Sequence, residues 1–164
     1  MDAIRLFCAA ACLYLPGASA AASAMLATTP ACEILSQDEL DKATGHTMLP
    51  LGGTADVEHL SGCFWRAEGD GPSLELQLMA GAMLSPSGQT ARDYLEQGIA
   101  ALETAGQPYE RLADIGDGAV LTEAPDTRFV SLAAGGDYLT IRLSGGTRDA
   151  VIAVAEAAAK KMAD

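Results

Sequence analysis

The chain has 164 residues, with 22 acids against 10 lysines and arginines and a formal charge of −12. That balance argues against nucleic-acid binding, which depends on a basic patch, and against unaided attraction to anionic lipid. A hydrophobic content of 49% with 20% charged residues fits a globular domain with a substantial core.

The first 20 residues read as an export signal. Arg5 precedes the apolar run "LFCAAACLYL" (6–15), Pro16 and Gly17 break it, and Ala18-Ser19-Ala20 offers the small-x-small pattern a signal peptidase cuts. Cutting after Ala22 or Ala24 fits the same pattern. The run falls well short of the roughly 20 residues a membrane-spanning helix needs. Cys12 does not complete a lipobox, because Ala9 stands where a large aliphatic residue is wanted. No later segment is long and apolar enough to span a bilayer, so a periplasmic or secreted protein is expected, with no transmembrane segment in the mature chain.

Residues 21–31, "AASAMLATTPA", read as a flexible leader, and residues 32–164 as a single domain. Cys8 and Cys12 leave with the signal, which leaves Cys32 and Cys63, an even pair in an exported chain. They are too far apart for a CxxC redox pair. A zinc site would need two more ligands at characteristic spacing, and only His46 and His59 are on offer. A structural disulfide between Cys32 and Cys63 is the expectation.

In "EILSQDELDKATGH", Ser36 and Glu39 form a capping box, Leu35 and Leu40 occupy the staple positions, and Gly45 falls at the left-handed C-cap. The pattern predicts a helix over 36–44. "TMLPLGGTADVEHL" (47–60) reads as a connector because of its proline and glycines. In "HLSGCFWRAE" Cys63 and Trp65 alternate onto one face, with Phe64 and Arg66 on the other. "GDGP" (69–72) is a turn, and "SLELQLMAG" (73–81) alternates as a second strand, completing a hairpin.

A second helix is predicted over 89–105 from Ala91, Tyr94, Leu95, Gly98, Ile99 and Leu102, stopped by Gly106 and Pro108. A short strand at 109–113, a turn at Gly116–Gly118 and a strand at 119–123 follow. "RFVSLAAGGDYLTIRLSGG" (128–146) is a hairpin around Gly135-Gly136-Asp137. Thr147 caps a last helix to about 162, with Lys160 and Lys161 complementing its dipole. The main elements therefore run α-β-β-α-β-β-β-α. Strands arriving in hairpins imply a mostly antiparallel sheet, and the expected fold is an α+β two-layer sandwich.

Catalytic motifs are weak. "LSGG" (143–146) matches a signature tetrapeptide of ABC-type ATPases, but the required GxxxxGK[ST] loop is missing and a glycine turn explains it. "DIGDG" and "EGDG" lack the spaced oxygens of a calcium loop. There is no GxSxG; His59 and Ser61 stand two apart and could share a strand face. Met79 and Met83, with Met48 and His46 elsewhere, raise periplasmic copper, but the run "LQLMAGAML" suits core filling better. No catalytic residue, metal site or cofactor is assigned. Phe64, Trp65 and Arg66 form the candidate binding surface.

The cysteine before a short acidic helix ("ACEILSQDEL"), the cysteine in a Cys-x-Trp strand ("GCFW"), "IGDGAV", "AAGGDYLTI" and the Ala-rich last helix together resemble small exported, disulfide-stapled domains of uncharacterised function found in actinobacterial lipoproteins. The resemblance spans about 31–163. It implies a stapled α+β fold and a binding or sensor-like role, with no catalytic residues to carry over. The expected function is a non-catalytic binding or interaction module of the bacterial cell envelope, monomeric, whose partner is an envelope protein or a small ligand. Two alternatives are an acidic inhibitor or ligand of a cationic envelope protein such as a lysozyme-like enzyme, and a small extracytoplasmic hydrolase using His59 or a carboxylate pair.

Overall fold

A computed structural model describes residues 30–57 and 59–164, with backbone alone at 55–57. The signal and most of the leader lie outside the described residues. Five helices and seven strands follow: α1 Pro30–Glu33, α2 Gln37–Thr44, β1 Met48–Val57, β2 Leu60–Ala67, β3 Ser73–Met79, α3 Gly81–Leu84, α4 Ala91–Ala105, β4 Glu110–Leu112, β5 Gly118–Ala124, β6 Thr127–Ala134, β7 Asp137–Ser144 and α5 Arg148–Ala163. All strands join one antiparallel sheet in the order β1-β2-β3-β7-β6-β5-β4. The fold is α+β, two meanders joined through the pairing of β3 with β7.

The local signals account for the helix ends. Ser36 and Glu39 close the capping box of α2, and Gly45 caps its end at φ +72°. Leu35 and Leu40 are both buried. Thr90 and Asp93 form a second capping box on α4, and Thr147 caps α5. Between β6 and β7 the chain turns through Gly135 and Gly136, both at positive φ, as a two-residue hairpin requires. Gly135 has a second reason to be glycine: a Cβ there would lie 1.8 Å from the Met162 carbonyl oxygen at the end of α5.

Four details differ from the sequence expectation. The connector at 47–60 contains an edge strand, β1, whose start is set by α2: Met48 N–H donates to Asp41 Oδ1 at 2.8 Å, and the Gln37 side-chain amide donates to the Met48 carbonyl. Residues 30–31 of the leader belong to the fold, since Ala31 is fully buried and its N–H donates to Ser61 Oγ at 3.1 Å. Two short helices are additional, α1 before α2 and α3 before α4, so the order is α-α-β-β-β-α-α-β-β-β-β-α and not α-β-β-α-β-β-β-α. The layering also differs. Strand alternation places Leu74, Leu76, Leu78, Val130, Leu132, Leu139, Ile141 and Leu143 on one face, under α1, α2 and α5. Val120 and Ala133 point the other way and pack with Leu95 and Ile99 of α4. Helices therefore stand on both faces of the sheet, and α4 is held to β7 by an edge-to-face contact of Tyr94 with Tyr138, ring centres 4.9 Å apart.

The Cys32–Cys63 disulfide ties α1 to β2 across a sequence separation of 31 residues. Closing a loop of that length stabilises the fold by roughly 3–4 kcal/mol through the unfolded chain. Urea unfolding of the Cys32→Ser, Cys63→Ser double variant should show a loss of about that size, with β2 and α1 the first amides to lose exchange protection.

The α2 cap carries a pH dependence. The Ser36 backbone N–H, the Ser36 hydroxyl and then Lys161 hold the Glu39 carboxylate, lowering its pKa from 4.5 to about 2. Because the folded value lies below the unfolded one, the ionised cap contributes stability above about 4.5 that is lost as pH falls through about 2. A carboxyl-carbon NMR titration should find Glu39 still ionised where ordinary glutamates have protonated, and Ser36→Ala should move its midpoint up.

Candidate functional site

Helix α4 covers only part of the second face. Beyond Met79, Tyr138, Ala133 and Val120, the same face continues uncovered towards the other end of β2, β3, β7 and β6. Strand register places one residue of each in a straight row: Phe64 opposite Glu75, Glu75 opposite Arg142, Arg142 opposite Phe129. With strands about 4.8 Å apart, the row spans about 14 Å. The Arg142 guanidinium lies 5.8 Å from the centre of the Phe129 ring, and its Nη1 is 3.6 Å from Glu75 Oε2. Glu75 Oε1 accepts from the Gln77 side-chain amide at 2.8 Å. The aromatic, acid, base and aromatic side chains are thus held by a rigid sheet, each with its partner alongside.

The flanks extend this surface. On the β1 side, Leu49 is 45% exposed and Leu51 60% exposed. Leu49 lies opposite Arg66, and Leu51, at a bulge, lines the hollow beside Phe64. Two shallow depressions of about 160 and 170 Å³ share Glu75 and Arg142 as a common wall. Each is well below the roughly 300–1,000 Å³ of pockets that engulf a small molecule. The surface suits a broad, flat contact. The chemistry it offers is stacking, cation–π contact, ion pairing and apolar burial.

A larger depression, about 620 Å³, lies between α2 and α5. Its walls are Ala43, Ala153 and Ala157 beneath long charged side chains that bridge one another, Lys161 Nζ to Glu39 Oε1 at 3.2 Å. It presents neither an aromatic platform nor a buried polar group to fix a ligand.

The candidate residues from the sequence separate. Phe64 and Arg66 are on the open face as their alternation requires. Trp65 is not: it is 4% exposed, on the opposite face, in the same core cluster as Cys63. Trp65 is therefore withdrawn from the binding surface, because the pleat that presents Phe64 turns Trp65 inward. The residues missed, Glu75, Arg142 and Phe129, sit on three different strands. The outward positions of "SLELQLM" and "RFVSL" were the available signal, but only the register brings them together.

The other motifs resolve into structural roles. Ser61 is buried and its hydroxyl accepts from Ala31 N–H, while His59 is exposed in the turn before β2 at φ +72°, so the two form no nucleophile–base pair. The ten-residue strand β1 separates His46 from His59. Met48 is fully buried under the first face, whereas Met79 packs with α4 on the second, so they share no site. Within "LSGG", Leu143 is core and the Gly146 carbonyl accepts from Arg128 Nη1 at 2.6 Å. Among the described residues, no three or more His, Cys, Asp or Glu side chains group closely enough to hold a metal ion. No helix among them is long and apolar enough to cross a membrane.

Comparison with protein-family models, with curated proteins and with solved structures gives no match.

The two aromatics of β2 give a direct check. Trp65→Ala should cost about 3–5 kcal/mol in urea unfolding, as for a core tryptophan. Phe64→Ala should cost about 1 kcal/mol, as for a ring already half in water. Equal losses at the two positions would contradict the assignment of faces.

Proposed function

We propose that the chain is an exported, non-catalytic interaction module of the cell envelope, and that its contact surface is the open part of the sheet. One observation carries the reading: the row Phe64–Glu75–Arg142–Phe129 is uncovered and runs beside Leu49 and Leu51. Those two leucines are two of the three exposed large hydrophobic residues among the described residues, Met83 being the third. A contiguous exposed apolar and aromatic surface beside a fixed charge pair is a common mark of a docking site. The Cys32–Cys63 disulfide supports an oxidising compartment. The shallow relief favours a protein partner over a small ligand.

Affinity capture from the envelope fraction of the native cells tests the reading. The oxidised protein should retain a partner that Phe129→Ala and Arg142→Ala each weaken about tenfold, the usual effect of truncating an interface anchor. Capture that ignores both variants but is released by moderate salt would replace this reading with the charge-driven one, in which the acidic surface itself binds a cationic envelope protein. Turnover of any substrate that a single side-chain change abolishes would overturn the non-catalytic assignment.

A further inference from the structure

The two hollows of the open face are built alike. They have volumes of about 160 and 170 Å³ and meet at the Glu75–Arg142 pair, which lines both. The first adds the Phe64 ring and the hydroxyls of Ser73 and Ser144. The second adds the Phe129 ring, the Thr140 hydroxyl and the Gln77 amide. Each hollow therefore offers one aromatic ring, one carboxylate, one guanidinium and short uncharged polar groups. One set of groups, used twice along one row, suits a ligand that itself repeats. The surface between the strands is also low. Phe64 Cε2 is 3.6 Å from the point where a Cβ on Gly62 would stand, and Gly52 lies opposite Phe64 on β1. The ring leans over glycine, with no side chain beneath to lift it.

We infer that this face recognises carbohydrate: a neutral, unbranched glycan on the envelope partner, with one sugar ring in each hollow and the chain passing over the Glu75–Arg142 pair. The inference rests on the reading of the open face as the contact surface, and names what of the partner is gripped there. A pyranose has an apolar face of C–H bonds, whose partial positive charge suits the negative face of an aromatic ring. Its hydroxyls both donate and accept. Ionised Glu75 only accepts and Arg142 only donates, so the two side by side satisfy adjacent sugar hydroxyls in both senses. The Ser73 and Thr140 hydroxyls make no side-chain hydrogen bond among the described residues, which leaves them for a ligand. Charge points the same way. In the three rows that strand register places on this face, the charged residues are Arg66, Glu75 and Arg142, although the whole chain carries −12. A cationic ligand finds no excess of acid here, and an acidic one is opposed by the field of the whole chain. An uncharged ligand meets neither obstacle. Protein–protein contacts are depleted in serine at their cores, whereas this face sets Ser73 and Ser144 side by side. Helix α4 stands over the next row, at Met79, Tyr138 and Ala133. A chain one sugar ring thick lies in the angle between the sheet and that helix.

Proteinase digestion tests this, because it removes a partner's protein surface and leaves its sugar. The envelope fraction of the native cells is digested, freed of the proteinase and passed over the immobilised, oxidised chain. The digest should still be retained, and the retained material should release neutral sugars on acid hydrolysis. Phe64→Ala and Phe129→Ala should each weaken retention about tenfold, with circular dichroism checking that each variant is folded. Moderate salt should leave retention unchanged, since no net charge is being matched. Calorimetric titration with unbranched glucose, N-acetylglucosamine and mannose oligomers reads the two hollows. In a series that binds, the hexamer should bind about tenfold or more tighter than the monomer, and either phenylalanine variant should remove that gain. A hexamer that binds no tighter than its monomer would overturn the paired hollows. Loss of all retention on digestion would overturn the carbohydrate; if the undigested partner is still captured by wild type and lost on Phe129→Ala, the contact surface stands. Sugar retained equally by both phenylalanine variants would overturn this face as its site. Sugar retained from the digest, with no protein captured from the undigested fraction, would support the carbohydrate and remove the reading that a protein docks there.

Discussion

The pairing of β3 with β7 is the constraint from which the rest of the molecule follows. Each strand alternates, and the antiparallel register sets Leu74 against Leu143, Leu76 against Ile141 and Leu78 against Leu139. All six side chains lie on one face and are buried there. They form a continuous apolar floor that only a long apolar helix can cover, and α5 supplies Val151, Val154, Ala155 and Ala158 for it. A slip of one residue would turn these leucines to the solvent and bring Glu75 and Arg142 into the core. The hydrophobic floor thus fixes the register, and the register fixes what the other face displays. The Phe64–Glu75–Arg142–Phe129 row is a consequence of core packing as much as of its own contacts.

The disulfide acts on the same arrangement from the side. Cys63 lies between Ser61 and Trp65 on the buried face of β2, and Cys32 brings α1 down on it. Ser61 accepts from Ala31 N–H within that contact, so a polar residue on the buried face is satisfied rather than stranded. The edge of the sheet beyond, β1, contributes less apolar surface and depends on α2 for its start through Asp41 and Gln37. At the opposite edge the three-residue strand β4 is held by ion pairs, Arg111 to Glu96 of α4 at 2.8 Å and Arg148 of α5 to Glu110 at 2.7 Å. Ion pairs of this exposure are worth little singly, so β4 should be the least protected strand.

Local chemistry was legible wherever it is local. The capping box at Ser36, the Gly45 cap, the Gly135-Gly136 turn and the opposite facing of Phe64 and Trp65 all follow from neighbours in sequence. β1 was not legible, because Pro50, Gly52 and Gly53 have poor strand propensity; an edge strand tolerates them since one of its sides makes no ladder bonds. The second-face helix has a signal in the sequence. "AVL" at 119–121 and "LAA" at 132–134 are buried without alternation, the mark of strand segments covered on both sides. Phe64 beside Glu75 and Phe129 beside Arg142 each lie within a hairpin read from the sequence; joining the two pairs needs one long-range pairing, β3 with β7. No periodicity within a strand can announce which residue of a distant strand will lie beside it.

The two edges of the sheet limit the routes to association. An exposed edge strand invites another strand, and this sheet resists that at both ends. Pro50 and two irregularities, between Pro50 and Gly52 and between Thr54 and Val57, interrupt β1, while β4 is only three residues long. A sheet extended edge to edge would also be open-ended, because adding a copy leaves another free edge for the next. The features that make β1 a poor strand therefore suppress this unbounded mode of association. The −12 charge acts in the same direction, since it penalises the close approach of two copies.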